Sequence, residues 1–280
     1  MNTQRIKIVA DSSCDLYELA EAPFAVAPLK IITDEKEYVD DHALDVRRMV
    51  NDLQVYKGKS STSCPNPSDW LTAFGDASQV ICVTITGTLS GSYNAAVIAK
   101  QTYEEMYPDR QVFVLNTLTA GPEIALIIEK LRELIAAGGT FDDICVSISR
   151  YVQNTGLLFM LESMRNLENN GRVSPFVARM AGILGIRVVG KASDQGDLEP
   201  LHKCRGEAKA LKVIVDHLKA AGLRHGKVYI AHCFNKTAGE QLKAQIEAAF
   251  DGVQVRLYPC GGLCSFYAEK GGLLIGFETI

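Results

Sequence analysis

Long apolar runs are missing from this chain. Stretches such as Gly156 to Leu161 fall far short of the ~20 residues needed to span a bilayer, so no integral membrane segment is expected. Charge of one sign is not concentrated anywhere either. With 29 basic and 33 acidic residues the formal net charge is −4, there is no block of like charge, and no stripe of Lys and Arg alternates with aromatics. Nucleic acid therefore has no electrostatic footprint to meet. Cysteines are present, eight of them, but none forms a CxxC pair. The start, Met1 to Asp11, lacks the basic and apolar pattern of a secretory signal, so the thiols are expected to be reduced and buried in a cytoplasmic protein.

Several chemical motifs are absent as well. The five histidines show no HExxH and no ligand spacing with cysteine. Asp40-Asp41-His42, followed by Asp45, reads better as a capped, solvated helix start than as a metal site. Cys260-Gly261-Gly262-Leu263-Cys264 has neither zinc-knuckle nor redox spacing and reads as a tight glycine turn. No metal and no cofactor is implied. Repeats and low-complexity tracts are not evident, which removes solenoids and flexible linkers.

What remains is a chain of 280 residues, 47% hydrophobic, long enough for two packed domains. In the first half, Ile6 to Ala10, Phe24 to Ile32, Val80 to Ile85 and Val112 to Leu115 read as strands. Between and after them come helix-period segments at Asp45 to Leu53, Pro67 to Phe74, Leu89 to Tyr107 and Ala120 to Ala137. Such alternation predicts an α/β layer with a mostly parallel sheet sandwiched by helices, because parallel strands need crossover connections. Helices at Phe141 to Gln153 and Leu161 to Glu168 follow, the second stopping at Asn169-Asn170-Gly171. The domain boundary is placed there, giving an α/β domain at residues 1–165 and a smaller α+β domain with a mixed sheet at 166–280. In that second part, Ile186 to Ala192 and Leu198 to Cys204 flank a turn at Ser193 to Asp197, a hairpin signal. Helices at Gly206 to Ala221 and Lys236 to Phe250 alternate with strands at Val228 to Cys233, Val253 to Tyr258 and Leu273 to Phe277.

Three hydroxyl-rich stretches stand at strand ends in the first half. Asp11-Ser12-Ser13-Cys14-Asp15 follows the opening strand, where ligands of open α/β sheets gather, although Asp11 or Ser12 can equally serve only to cap the next helix. Ser60 to Pro67 holds Thr62 and Ser63 in what two prolines predict to be a stiff loop. Thr84 to Tyr93 places Ser90 near a helix start, where unpaired N–H groups attract an anion. Its spacing fits neither a P-loop nor GxGxxG, and Leu89-Ser90-Gly91 does not fit GxSxG. Carboxylate or phosphate is the natural guest.

Taken in order, Ile8 to Leu16, Thr62 to Pro65, Leu89 to Ala96, Leu167 to Val173 and Lys203 to Lys209 make the whole chain resemble the DegV family. The resemblance implies a non-catalytic carrier of a long-chain fatty acid, with the acyl chain buried near the junction of the two domains. It further implies that the carboxylate is presented to an ATP-dependent fatty acid kinase subunit that makes an acyl-phosphate. The family's carboxylate-binding hydroxyls fall on Thr62 and Ser90, with Ser63 beside them, and its kinase-facing basic residue falls on Arg205.

One departure matters. Family members place a histidine in a glycine-rich stretch near the C-terminus, where alignment puts Tyr267 or Ala268 here. At Tyr267 a phenol donates a hydrogen bond but adds no positive charge. A competing function, an acyl hydrolase or transferase using a Thr62 or Ser90 nucleophile, lacks any histidine or lysine at a recognisable triad spacing. A sensor of acyl ligands would carry the same pocket as a carrier.

Overall fold

The computed structural model describes residues 6–279; the first five residues of the Met1 to Asp11 segment considered above lie outside the described residues. Four strands, β1 (Lys7–Asp11), β2 (Phe24–Ala27), β6 (Gln79–Thr84) and β7 (Gln111–Asn116), form a wholly parallel sheet in the order β2-β1-β6-β7. Apolar side chains on both faces explain why these strands read as unbroken hydrophobic runs. Ile8, Ala10, Ile81 and Val83 pack on Ile124 and Ile127 of α4 (Pro122–Ala136) and Ile144 and Ile148 of α5 (Phe141–Tyr151). The alternate residues Val9, Val80 and Cys82 pack on Trp70 and Phe74 of α2 (Pro67–Phe74) and Ala96 and Ala99 of α3 (Ser92–Met106).

The expected strand from Phe24 to Ile32 is split. Pro28 offers no N–H, and the chain leaves β2 to form β3 (Lys30–Ile32) in a separate antiparallel sheet with β4 (Glu37–Val39) and β5 (Ser61–Ser63), ordered β4-β3-β5. Thr62 therefore stands opposite Ile31 on a short strand, not in the proline-stiffened loop expected. The prolines, Pro65 and Pro67, follow the strand and open α2, whose start carries a reciprocal Asn66–Asp69 capping box. Helix α1 (Val46–Val55) starts from Asp45, whose side chain accepts the Arg48 N–H.

The second half builds a six-stranded mixed sheet from β8 (Thr155–Leu161), β9 (Ile186–Ala192), β10 (Leu198–Arg205), β11 (Gly226–His232), β12 (Val253–Pro259) and β13 (Leu273–Glu278). Its order is β10-β9-β8-β13-β11-β12, and only β11 and β12 pair in parallel. Helices α8 (Glu207–Ala220) and α9 (Lys236–Ala249) cover one face. The other face receives α4, so closely that a Cβ on Gly276 would strike the backbone of Pro122 and Glu123. Short helices α6 (Arg165–Asn169), α7 (Pro175–Ala178) and α10 (Gly262–Ala268) complete the structure. No helix among the described residues is long and apolar enough to cross a membrane.

Two expected local elements are corrected here, a helix and a turn. The helix predicted over Leu161 to Glu168 is confined to Arg165–Asn169, because Leu161 ends β8. A short continuous apolar run such as Gly156 to Leu161 carries no period to separate strand from helix. As β8 pairs with β9 and β13, the second sheet begins ahead of the 165/166 boundary assumed from sequence. The stretch at Cys260 to Cys264, expected as a tight glycine turn, instead enters α10, with Gly261 in extended backbone at φ −69.

Candidate functional site

Where the loops leaving the parallel sheet meet the mixed sheet, the structure leaves a cavity of about 300 Å³. This lies at the small end of the ~300–1,000 Å³ range of small-molecule pockets. Its walls are mostly apolar. Leu29, Ile85, Leu89 and Ala120 come from the first half, while Leu157, Phe159 and Leu161 project from β8. Leu263 and Cys264 of α10 and Leu274 of β13 close the remaining sides. Strand alternation explains the spacing on β8, where residues two apart share one face.

The polar lining is concentrated. Thr62 and Ser63 come from β5, Ser90 from the turn before α3, Tyr267 from α10 and Arg172 from the segment after α6. Thr62 Oγ1 and Tyr267 Oη lie 2.7 Å apart in a hydrogen bond that joins residues 205 positions apart in sequence. Burial pushes the Tyr267 phenol up, while the Thr62 hydrogen bond and the Arg172 charge draw it partly back. The same Arg172 charge acts on Cys64, and Cys64 in turn lies against Gly91, where an added Cβ would sit 3.1 Å from its sulfur. These relations gather Thr62, Cys64, Ser90, Arg172 and Tyr267 around one end of an apolar chamber.

Ser90 sits two residues ahead of α3, and its Oγ accepts the Ser92 N–H at 3.2 Å. A hydroxyl carries one proton and two lone pairs, so this bond leaves the Ser90 proton available to an acceptor in the cavity. Both residues that alignment offers for the histidine position line the cavity, but only Tyr267 brings a polar atom. Among the described lining residues there is no histidine or lysine to serve Thr62 or Ser90 as a base. Arg205, the last residue of β10, is exposed and stands outside the cavity.

The first hydroxyl-rich stretch has a structural role. Asp11 is fully buried and accepts the Ser13 N–H and hydroxyl, the Ile85 N–H at 2.9 Å and the Ser92 hydroxyl at 2.6 Å. It ties β1 to the loop after β6 and to the start of α3, fixing the turn that carries Ser90. Burial raises its carboxyl and these four donors oppose the rise. Among the described residues no group of three His, Cys, Asp or Glu side chains could hold a metal.

Arg172 is the residue that sequence reasoning missed. Its place is fixed by the end of α6: Gly171 adopts φ +71, its N–H donates to the Glu168 carbonyl at 2.9 Å, and the Arg172 N–H donates to the Leu167 carbonyl at 2.8 Å. This is the paired-bond helix stop in which a left-handed glycine redirects the chain. The Asn169-Asn170-Gly171 signal marked the stop, and the following side chain is the one the turn aims at the cavity.

Residues 5–279 match the family described as "uncharacterised protein, DegV family". A DegV domain-containing protein of Streptococcus pneumoniae is 41% identical over 276 residues, which cover 97% of this chain and 98% of that protein. The solved structure of a DegV family protein from Eubacterium eligens, loaded with heptadecanoic acid, superposes with a TM-score of 0.96 at 42% identity, covering 98% of this chain and 100% of that one. The Fatty Acid Kinase (Fak) B3 protein of Streptococcus pneumoniae, loaded with linoleic acid, gives a TM-score of 0.96 at 41% identity, covering 99% of this chain and 100% of that one.

Proposed function

This chain belongs to the DegV family, and from that premise we propose that it binds one long-chain fatty acid and presents the carboxylate to a fatty acid kinase subunit. The observation that carries the reading is the chamber itself: apolar along β8, with Thr62, Ser90, Arg172 and Tyr267 at one end. Relatives at 42% and 41% identity loaded with heptadecanoic and linoleic acid support it. The second of these is a protein of a fatty acid kinase, which supports a kinase as partner.

Burying the tail supplies most of the affinity, at ~0.8 kcal/mol per CH₂ or roughly 12 kcal/mol for a C16 chain before ordering and association costs. The head must still be satisfied, since an unpaired buried carboxylate is costly. Ser63, Ser90 and one of the hydrogen-bonded pair Thr62 and Tyr267 donate hydroxyl protons to it, and Arg172 supplies the charge that the missing family histidine does not. Exposed Arg205 then serves contact with the kinase, in the cytoplasm, while this chain performs no chemistry of its own.

The test is titration of delipidated protein with palmitate. Thr62→Ala combined with Ser90→Ala removes two hydroxyl donors at about 1 kcal/mol each, so affinity falls by roughly 30-fold while the fold is kept. Unchanged affinity and an unchanged ligand pose in the double variant would remove these residues from the site.

A further inference from the structure

The start of α10 is held by carboxylates from the opposite end of the chain. Three successive amides there donate outward: Gly261 N–H to Asp15 Oδ1 at 2.9 Å, Gly262 N–H to Asp40 Oδ1 at 2.8 Å and Leu263 N–H to Asp40 Oδ2 at 3.0 Å. These are donors that a helix start leaves unpaired, and α10 has no side-chain cap of its own at Gly261. Asp40 is fully buried, and Tyr17 Oη donates to its Oδ1 at 2.6 Å, fixing the carboxylate's orientation.

The paired glycines follow from this arrangement. A Cβ on Gly261 would sit 2.7 Å from Asp15 Oδ1, and one on Gly262 would sit 2.5 Å from Asp40 Oδ1. Both positions must lack a side chain for the carboxylates to reach the amides. The helix is seven residues long, and Tyr267 lies near its far end, where Asn166 Nδ2 donates to the Phe266 carbonyl at 2.8 Å. Held at its start by these aspartates and at its far end by Asn166, this short helix sets where the hydroxyl that meets Thr62 stands.

We infer that Asp40, steadied by Tyr17 and assisted by Asp15, is a positioning residue for the acid-binding end of the cavity, acting through α10 to hold the Tyr267 hydroxyl against Thr62. The inference rests on the proposed role of Thr62 and Tyr267 as carboxylate contacts. It assigns a ligand-directed role to a residue that touches no ligand.

A double-mutant cycle tests it, using the full chain, palmitate and palmitate labelled with ¹³C at the carboxyl carbon. Asp40→Asn keeps the shape but removes the charge and one acceptor. It is expected to weaken palmitate binding about fivefold and to move the carboxyl resonance, whereas in a Tyr267→Phe background the same change costs less than about twofold and leaves the resonance in place. Tyr17→Phe, a milder change, shifts both readouts in the same direction with the same dependence on Tyr267 and serves if Asp40→Asn does not fold. Equal effects in both backgrounds, or lowered thermal stability with unchanged binding and resonance, would overturn the inference. A Tyr267→Phe protein that binds palmitate like the parent, with an unmoved resonance, is a separate failure, of the site reading itself.

Discussion

At the polar end of the cavity, Ser90 and the hydrogen-bonded pair Thr62 and Tyr267 are uncharged, and Arg172 brings the cation. Arg172 is only half buried, so solvent and salt weaken its pull on an anion without abolishing it. Arg172→Gln is therefore expected to reduce palmitate affinity about fivefold at low salt and by less at high salt. Arg172→Lys recovers part of the loss. Titrations at two ionic strengths check this, and an affinity independent of the charge at this position would show that the carboxylate is satisfied by hydroxyls alone. The stretches that bring Thr62 and Ser90 to the cavity wall are conspicuous in the sequence as hydroxyl-rich runs, but it was the likeness to the DegV family that singled out these two residues. Arg172 was not legible there, because what directs it is a left-handed turn at Gly171 and packing against elements far along the chain.

Among the elements, α4 has the most demanding position, since it faces the parallel sheet on one side and β13 of the mixed sheet on the other. Its second residue, Glu123, is buried in that seam and accepts the Thr155 hydroxyl at 2.7 Å. Burial pushes its carboxyl from 4.5 up to about 7, with the Thr155 hydrogen bond opposing. Between those values the folded chain holds a proton that the unfolded chain has lost. Stability therefore falls as pH rises from 4.5 to about 7 and levels off above. Glu123→Gln keeps the Thr155 contact and removes this slope, so at pH 8 it stabilises the protein by up to about 3 kcal/mol, at ~1.4 kcal/mol for each tenfold change in proton affinity. Denaturant unfolding from pH 5 to 8 measures it. Asp15, pushed to about 8 by burial and the Asp40 charge, adds a slope of the same sign, so the informative quantity is the difference between parent and variant. Helices with local caps, such as α2 behind Asn66, were legible from sequence. Strand β8 and helix α10 were not: one is an apolar run without a period, and the other takes its cap from carboxylates 222 and 246 residues away.

On the scale of the whole molecule, the cavity exists because the loops leaving a parallel sheet are roofed by a mixed one. The alternation of strands and helices predicts both layers, and the hairpin signal at Ser193 to Asp197 identifies the second. Cavity shape is a different matter. Leu29, Phe159 and Leu274 meet only in the folded chain, so no local pattern announces that they enclose a chamber. A ligand bound there stabilises the folded state by about 2.7 kcal/mol at 100 times its dissociation constant, so delipidated protein melts at a lower temperature than protein saturated with palmitate. The most direct measurement is native mass spectrometry of the delipidated chain after incubation with palmitate. A single added mass of one fatty acid per chain, lost completely on denaturation, is the expected result. No adduct, or an added mass that survives denaturation as an ester on Thr62 or Ser90, would contradict it.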